Sequence, residues 1–69
     1  MTPAAFITAG RVMFGGCWHG ELADALQVSS RTVSRWASGQ RQIPDNIPGE
    51  LRYIAGERIT EIKRLLEKI

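Results

Sequence analysis

The stretch 22–36 constrains the fold most strongly, because two short helical patterns meet there with only a few residues between them. The apolar positions are Leu22, Ala23 and Leu26 in the first pattern, and Val33, Trp36 and Ala37 in the second. Residues 28–30 interrupt the spacing. Two helices whose apolar faces meet across so short a turn must cross at a steep angle, which exposes the first turns of the second helix.

Those exposed turns carry arginines and no acidic residue. Their polar side chains are Ser30, Arg31, Thr32, Ser34 and Arg35. Arg31 and Arg35 are four residues apart and lie on one helix face. The guanidinium group of arginine commonly donates two hydrogen bonds to guanine, one to O6 and one to N7. Such a helix suits the DNA major groove. The alternative is an ordinary solvated face, although solvated faces usually mix both signs of charge.

The distribution of charge is more informative than the net charge of +2. Residues 25–44 contain three arginines and no acid, whereas residues 45–69 contain five acids and five bases, which cancel. A polyanion would therefore meet the protein at the second short helix and the loop that follows it.

The 69 residues predict one small all-α domain. We expect a compact bundle of four helices over about 3–14, 18–26, 30–38 and 48–68, the last one long. The start and stop signals are Thr2-Pro3, Gly15-Gly16, Ser29 and Gly39. Gln27 occupies the turn between the second and third helices, where we expect a left-handed backbone at a cost of about 1 kcal/mol. Trp18 is either a core anchor, the favoured interpretation, or an indole lying against a phosphate.

No apolar run approaches the roughly 20 residues of a membrane span, and no signal-peptide pattern begins the chain. We therefore expect no membrane partner and a place in the cytoplasm. A domain of this size buries only about 60% of its unfolded surface, so dimerisation would stabilise it.

The last helix carries more apolar side chains than one small domain readily buries. Its first half, with Leu51 and Ile54, is expected to complete the core. The excess positions are Ile59, Ile62, Leu65, Leu66 and Ile69. They either fold back on the first helix, at Phe6, Ile7 and Met13, or pair with the same helix of another chain. Pairing is the favoured prediction.

The run 19–39 resembles the helix-turn-helix of the lambda-repressor-like (Cro-type) DNA-binding domains, which are small bacterial and phage regulators. The resemblance is carried by Leu22, Ala23, Leu26, Val28, Val33 and Trp36, and above all by the segment R-T-V-S-R-W-A-S-G at 31–39. With the flanking helices it extends at least to Tyr53. The chain departs from the family at Gln27, where glycine is usual.

The resemblance implies which side chains meet DNA. Direct base contacts would come from Ser30, Arg31 and Arg35, with Thr32 and Ser34 as the remaining candidates on the same turns. Phosphate contacts would come from His19, Ser29, Ser38, Gln40 and Arg41. The family also implies homodimers that bind two half-sites roughly 34–36 Å apart.

The expected function is that of a sequence-specific, double-stranded DNA-binding transcriptional regulator. We expect a dimeric repressor, encoded on a phage, plasmid or other mobile element of a bacterial host, that binds a palindromic operator and represses its own operon. The alternative is a protein-interaction module or antitoxin-type component whose C-terminal helix binds a partner protein. Steep salt dependence of binding would favour DNA.

Catalysis, metals and cofactors are not expected. Cys17 is the single cysteine, which excludes an internal disulfide and a multi-cysteine metal site, and we expect a small packed residue rather than a nucleophile. His19 is the only histidine and has no second ligand nearby, so a phosphate contact or a solvated ring is expected instead. Cys17 and His19 diverge at a helix start and have no orienting group, so the chain is not expected to be an enzyme.

Overall fold

Four helices and no strand make up the computed structural model, which describes all residues 1–69. The helices are α1 (Pro3–Phe14), α2 (Trp18–Leu26), α3 (Ser30–Ser38) and α4 (Ile47–Lys68). The predicted all-α bundle with a long C-terminal helix is confirmed, and α4 begins one residue earlier than predicted. None of the helices combines the length and the apolar composition that crossing a membrane requires.

Local side-chain chemistry sets the ends of the short helices. The Thr2 hydroxyl accepts a hydrogen bond from the Ala5 backbone N–H at 3.1 Å and so caps α1. Gly15 and Gly39, which follow α1 and α3, both have a φ of 81°, a region that only glycine enters without a steric penalty. Each helix therefore ends where the chain supplies a residue able to leave helical geometry.

The core is built around Phe6, which is fully buried between two tryptophans. Its ring meets those of Trp18 and Trp36 edge-on, each at 5.8 Å between centroids. The other buried hydrophobic residues are Leu22, Ala23, Val33, Ile43, Ile47 and Leu51. Edge-to-face aromatic pairs contribute about 0.5–1.5 kcal/mol each beyond the area they bury. The prediction that Trp18 is a core anchor is confirmed, because only 2% of it is exposed.

Gly10 lets α1 and the start of α2 approach closely. A Cβ atom built on this buried glycine would overlap the indole of Trp18. The Trp18 ring therefore occupies the space that a side chain at Gly10 would fill. The adjoining Cys17 is exposed, so its predicted packing is wrong. Trp18, the next residue, takes the place in the core instead.

The long helix α4 packs on the body only through its first half. Ile47 and Leu51 are buried, and Arg58 is the last half-buried residue, with its guanidinium 4.6 Å from the centroid of the Phe14 ring. Every residue from 59 to 69 is exposed. The alternative in which this half folds back on α1 is therefore wrong.

Candidate nucleic-acid interface

The turn between α2 and α3 fixes how these two helices cross. Gln27 has φ 58° and ψ 42°, the left-handed conformation that we predicted. Its backbone N–H donates to the Asp24 carbonyl at 3.1 Å, and the Val28 N–H donates to the Ala23 carbonyl at 3.0 Å. Both bonds satisfy carbonyls that the end of α2 would leave unpaired. The turn is thus closed by backbone hydrogen bonds.

Small and buried residues bring α2 and α3 into contact. Ala23 is 2% exposed, while Leu22 of α2 and Val33 of α3 are fully buried. A small side chain at a helix crossing lets the two backbones come close. The α2–turn–α3 unit is therefore anchored to the core from both helices, and α3 has no freedom to turn its polar face inward.

That polar face of α3 is exposed and basic. Arg31, Ser30, Ser34 and Ser38 are exposed, and Arg35 is half-buried. The opposite side of the helix is closed by Val33 and Trp36, which are buried. The structure thus brings four of the five candidate base-contacting residues to one accessible surface, which we call the α3 face (residues 30, 31, 34, 35 and 38).

Thr32 lies at the edge of the α3 face. It is half-buried, and its hydroxyl lies 2.9 Å from the Ser29 hydroxyl. The same Ser29 oxygen accepts the Thr32 backbone N–H at 3.1 Å, which caps α3. Ser38 donates its hydroxyl to the Arg35 carbonyl at 3.2 Å. Ser30 and Ser34 make no side-chain hydrogen bond within the chain, so their hydroxyls are available to a ligand.

The remaining candidate phosphate-contacting residues lie outside α3. His19, on the first turn of α2, is exposed, and its ring stacks on Trp18 at 3.9 Å and 27°. Gln40 and Arg41 are exposed in the loop after α3. The Arg41 backbone N–H donates to the Arg35 carbonyl at 3.3 Å, which ties this loop to the end of α3.

The electrostatics of the surface are simple. The 20 residues from Ala25 to Pro44 include no carboxylate side chain, so nothing there offsets the charges of Arg31, Arg35 and Arg41. No group of three or more histidine, cysteine, aspartate or glutamate side chains is placed to hold a metal ion. The arrangement suits binding of an extended anion.

Comparison with protein-family models, with curated proteins and with solved structures found no match.

One surface feature was not predicted from the sequence. An open groove of about 770 Å³ runs along α4 as far as Glu61, opposite the C-terminal end of α2. Its apolar wall includes Phe14, Leu26 and Ile54, and its charged residues are Glu50, Glu57, Glu61 and Arg58. We call it the acidic groove. The spacing of seven between Glu50 and Glu57 places both on one side of α4, but only the packed structure shows that α2 closes the other side.

Proposed function

We propose that this protein is a sequence-specific, double-stranded DNA-binding transcriptional regulator that inserts α3 into the major groove. The observation that carries the proposal is the α3 face: an exposed, purely basic and hydroxylic helix surface whose opposite side is locked into the core. The major groove admits one α-helix and displays a distinct donor and acceptor pattern for each base pair. A rigidly held helix with arginines on its outer side is suited to read that pattern.

In this proposal the two arginines of the α3 face specify the sequence. Arg31 and Arg35 each present a forked donor that matches guanine O6 and N7. Ser30 and Ser34 contact base edges where the helix lies closest, and Thr32 contacts DNA from the edge of the face. The half-burial of Arg35 supports a reading role, because a side chain that is partly enclosed in the free protein loses less freedom on binding.

The flanking residues hold the phosphate backbone. These contacts are assigned to His19, Ser29, Ser38, Gln40 and Arg41. Phosphate contacts fix the register of a protein on the duplex but carry no sequence information themselves. The backbone bond of Arg41 supports this division, because it holds a donor beside the α3 face rather than on it, and the stack of His19 on Trp18 holds a second donor on α2.

We further propose that the regulator acts as a homodimer on a palindromic operator. Two copies would place two α3 helices in successive major grooves, roughly 34–36 Å apart. Ile59, Ile62, Leu65, Leu66 and Ile69 are each more than half exposed and form the proposed dimer surface. A dimer that covers its own promoter would repress it in proportion to the protein concentration.

Selection of bound sequences from a random pool of duplex DNA tests the proposal and would show palindromy and half-site spacing. On the selected site, Arg31→Ala and Arg35→Ala should each weaken binding about 5- to 150-fold, equivalent to about 1–3 kcal/mol, and relax preference at one base pair. Arg52→Ala, which removes an exposed arginine from α4, is the matched control and should bind as wild type. Wild-type affinity in both α3 variants would refute the proposal.

The second candidate function is a protein-interaction module of antitoxin type, in which α4 binds a different protein. The exposed apolar side chains of residues 59–69 favour it. A complex that is insensitive to salt and to Arg35→Ala would support this function, since binding of DNA falls steeply as the salt concentration rises.

A further inference from the structure

The exposed half of α4 continues the same face that the first half buries. Ile47, Leu51 and Ile54 point into the body, and Ile62, Leu65 and Ile69 follow at the same helical spacing of three or four residues. The helix has 22 residues and is about 33 Å long. Residues 59–68 extend about 15 Å past the last half-buried residue, Arg58. The side of α4 that packs on the core thus continues, exposed, past the last residue that contacts the body.

Charge is distributed unevenly along α4. The acidic groove beside residues 50–61 contains three glutamates and one arginine, a formal charge of −2. The last eight residues, 62–69, contain Lys63, Arg64, Lys68 and Glu67, a formal side-chain charge of +2. The apolar, basic end of one molecule is therefore complementary in charge to the acidic groove of a second copy.

We propose that two copies of this chain pair through α4 in antiparallel orientation, and that the last turns of each α4 lie against the acidic groove of the other. This inference rests on the homodimer of the proposed function. It adds the relative direction of the two α4 helices and the surface that the end of each one contacts. A two-fold axis that crosses α4 between the groove acids and the terminal bases forms the same contact twice, as an isologous interface requires. Each contact covers apolar side chains and places bases opposite acids.

The position of the acidic groove disfavours the parallel alternative. Parallel helices in register would set the last turns of each α4 beside the same turns of the second copy and away from its acidic groove, so that charges of the same sign lie at the same level of the pair. The aligned helix dipoles would add to the repulsion. Antiparallel pairing brings the last turns of each α4 toward the other groove and opposes the two dipoles.

The test measures dimer dissociation of the full chain by analytical ultracentrifugation, without DNA, in low and high salt. Reversal of the groove acids (Glu57→Lys with Glu61→Lys) or of the terminal bases (Lys63→Glu with Arg64→Glu) should weaken the dimer about tenfold at low salt. The fourfold variant that carries both reversals should return to within about threefold of wild type, because exchange of the two charge sets preserves antiparallel complementarity. Glu21→Lys, an exposed reversal on α2, is the control and should leave dimerisation unchanged.

Two results would overturn the inference. One is a chain that stays monomeric at every concentration measured. The other is a fourfold variant no stronger than the twofold variants, which is the result that parallel pairing or a different occupant of the groove predicts. Circular dichroism of each variant verifies that these exposed substitutions leave the helices intact. The Arg31 and Arg35 variants report on DNA binding separately. A protein that forms the dimer but does not bind DNA would refute the proposed function without contradicting this inference.

Discussion

At the scale of single residues, one missing methyl group decides how α1 and α2 pack. A Cβ on Gly10 would overlap the Trp18 ring, whereas a Cβ on Gly56 in α4 meets open space. Gly10→Ala should therefore destabilise the fold by about 1–3 kcal/mol through overpacking. Gly56→Ala is the matched control and should stabilise it by up to about 1 kcal/mol, because alanine favours the helix. Urea denaturation measures both, and a Gly10→Ala protein as stable as wild type would contradict the packing described.

Tyr53 offers a clean probe of the acidic groove, because it is the only tyrosine in the chain. A hydrogen bond to Glu57, and then the negative charge of that carboxylate, raise the pKa of Tyr53 above its ordinary value. The fold thus favours the neutral hydroxyl. This contribution to the free energy of unfolding is present below the pKa of about 10 that tyrosine has in the unfolded chain. It is lost as pH rises through the higher pKa of the folded protein.

Alkaline titration followed by tyrosinate absorbance should accordingly give a midpoint above that of free tyrosine. Glu57→Gln removes the charge and should lower the midpoint. Glu67→Gln, on the exposed end of α4, should leave it unchanged. An unaltered midpoint in Glu57→Gln would show that Glu57 is not the cause of the shift.

At the scale of elements, the proposed interface divides between α3 and the loop that follows it. Arg41 lies in that loop, tied to α3 through its backbone rather than placed on the α3 face. Arg41→Ala should therefore weaken binding to all DNA sequences alike and reduce the slope of log affinity against log salt by about 1. Fluorescence anisotropy over a salt series, on the selected site and on random DNA, measures both. An altered base preference would contradict the phosphate-contacting role.

At the scale of the whole molecule, α4 joins a folded body to an exposed extension. No residue beyond Arg58 is buried or half-buried. Deletion of residues 59–69 should thus leave the aromatic core folded. Tryptophan fluorescence should still report a cooperative transition when the truncated protein is unfolded by heat. The truncated protein should sediment as a monomer and bind the operator poorly, because each monomer contacts a single half-site. A dimer that persists in ultracentrifugation would remove the end of α4 from the interface.

Much of the fold was predictable from the sequence because its signals are local. The Thr2 and Ser29 caps, Gly15, Gly39 and the strained turn at Gln27 each act over a few residues, and the structure places all of them as predicted. The same holds for the two sides of α3, since the spacing of Val33 and Trp36 determines which side turns inward. The candidate DNA-contacting residues follow from that spacing and from the family resemblance.

The sequence by itself thus determined the four helices, all of their ends except the first residue of α4, and the basic character of α3, since hydrogen-bond caps and helical periodicity involve only neighbouring residues. Only the tertiary structure decided which segments meet. It placed Trp18 against Gly10 and left Cys17 exposed. It also formed the open acidic groove between α2 and α4, and carried the apolar end of α4 past the body. These outcomes depend on the directions in which packed helices run, which the spacing of residues within one helix does not encode.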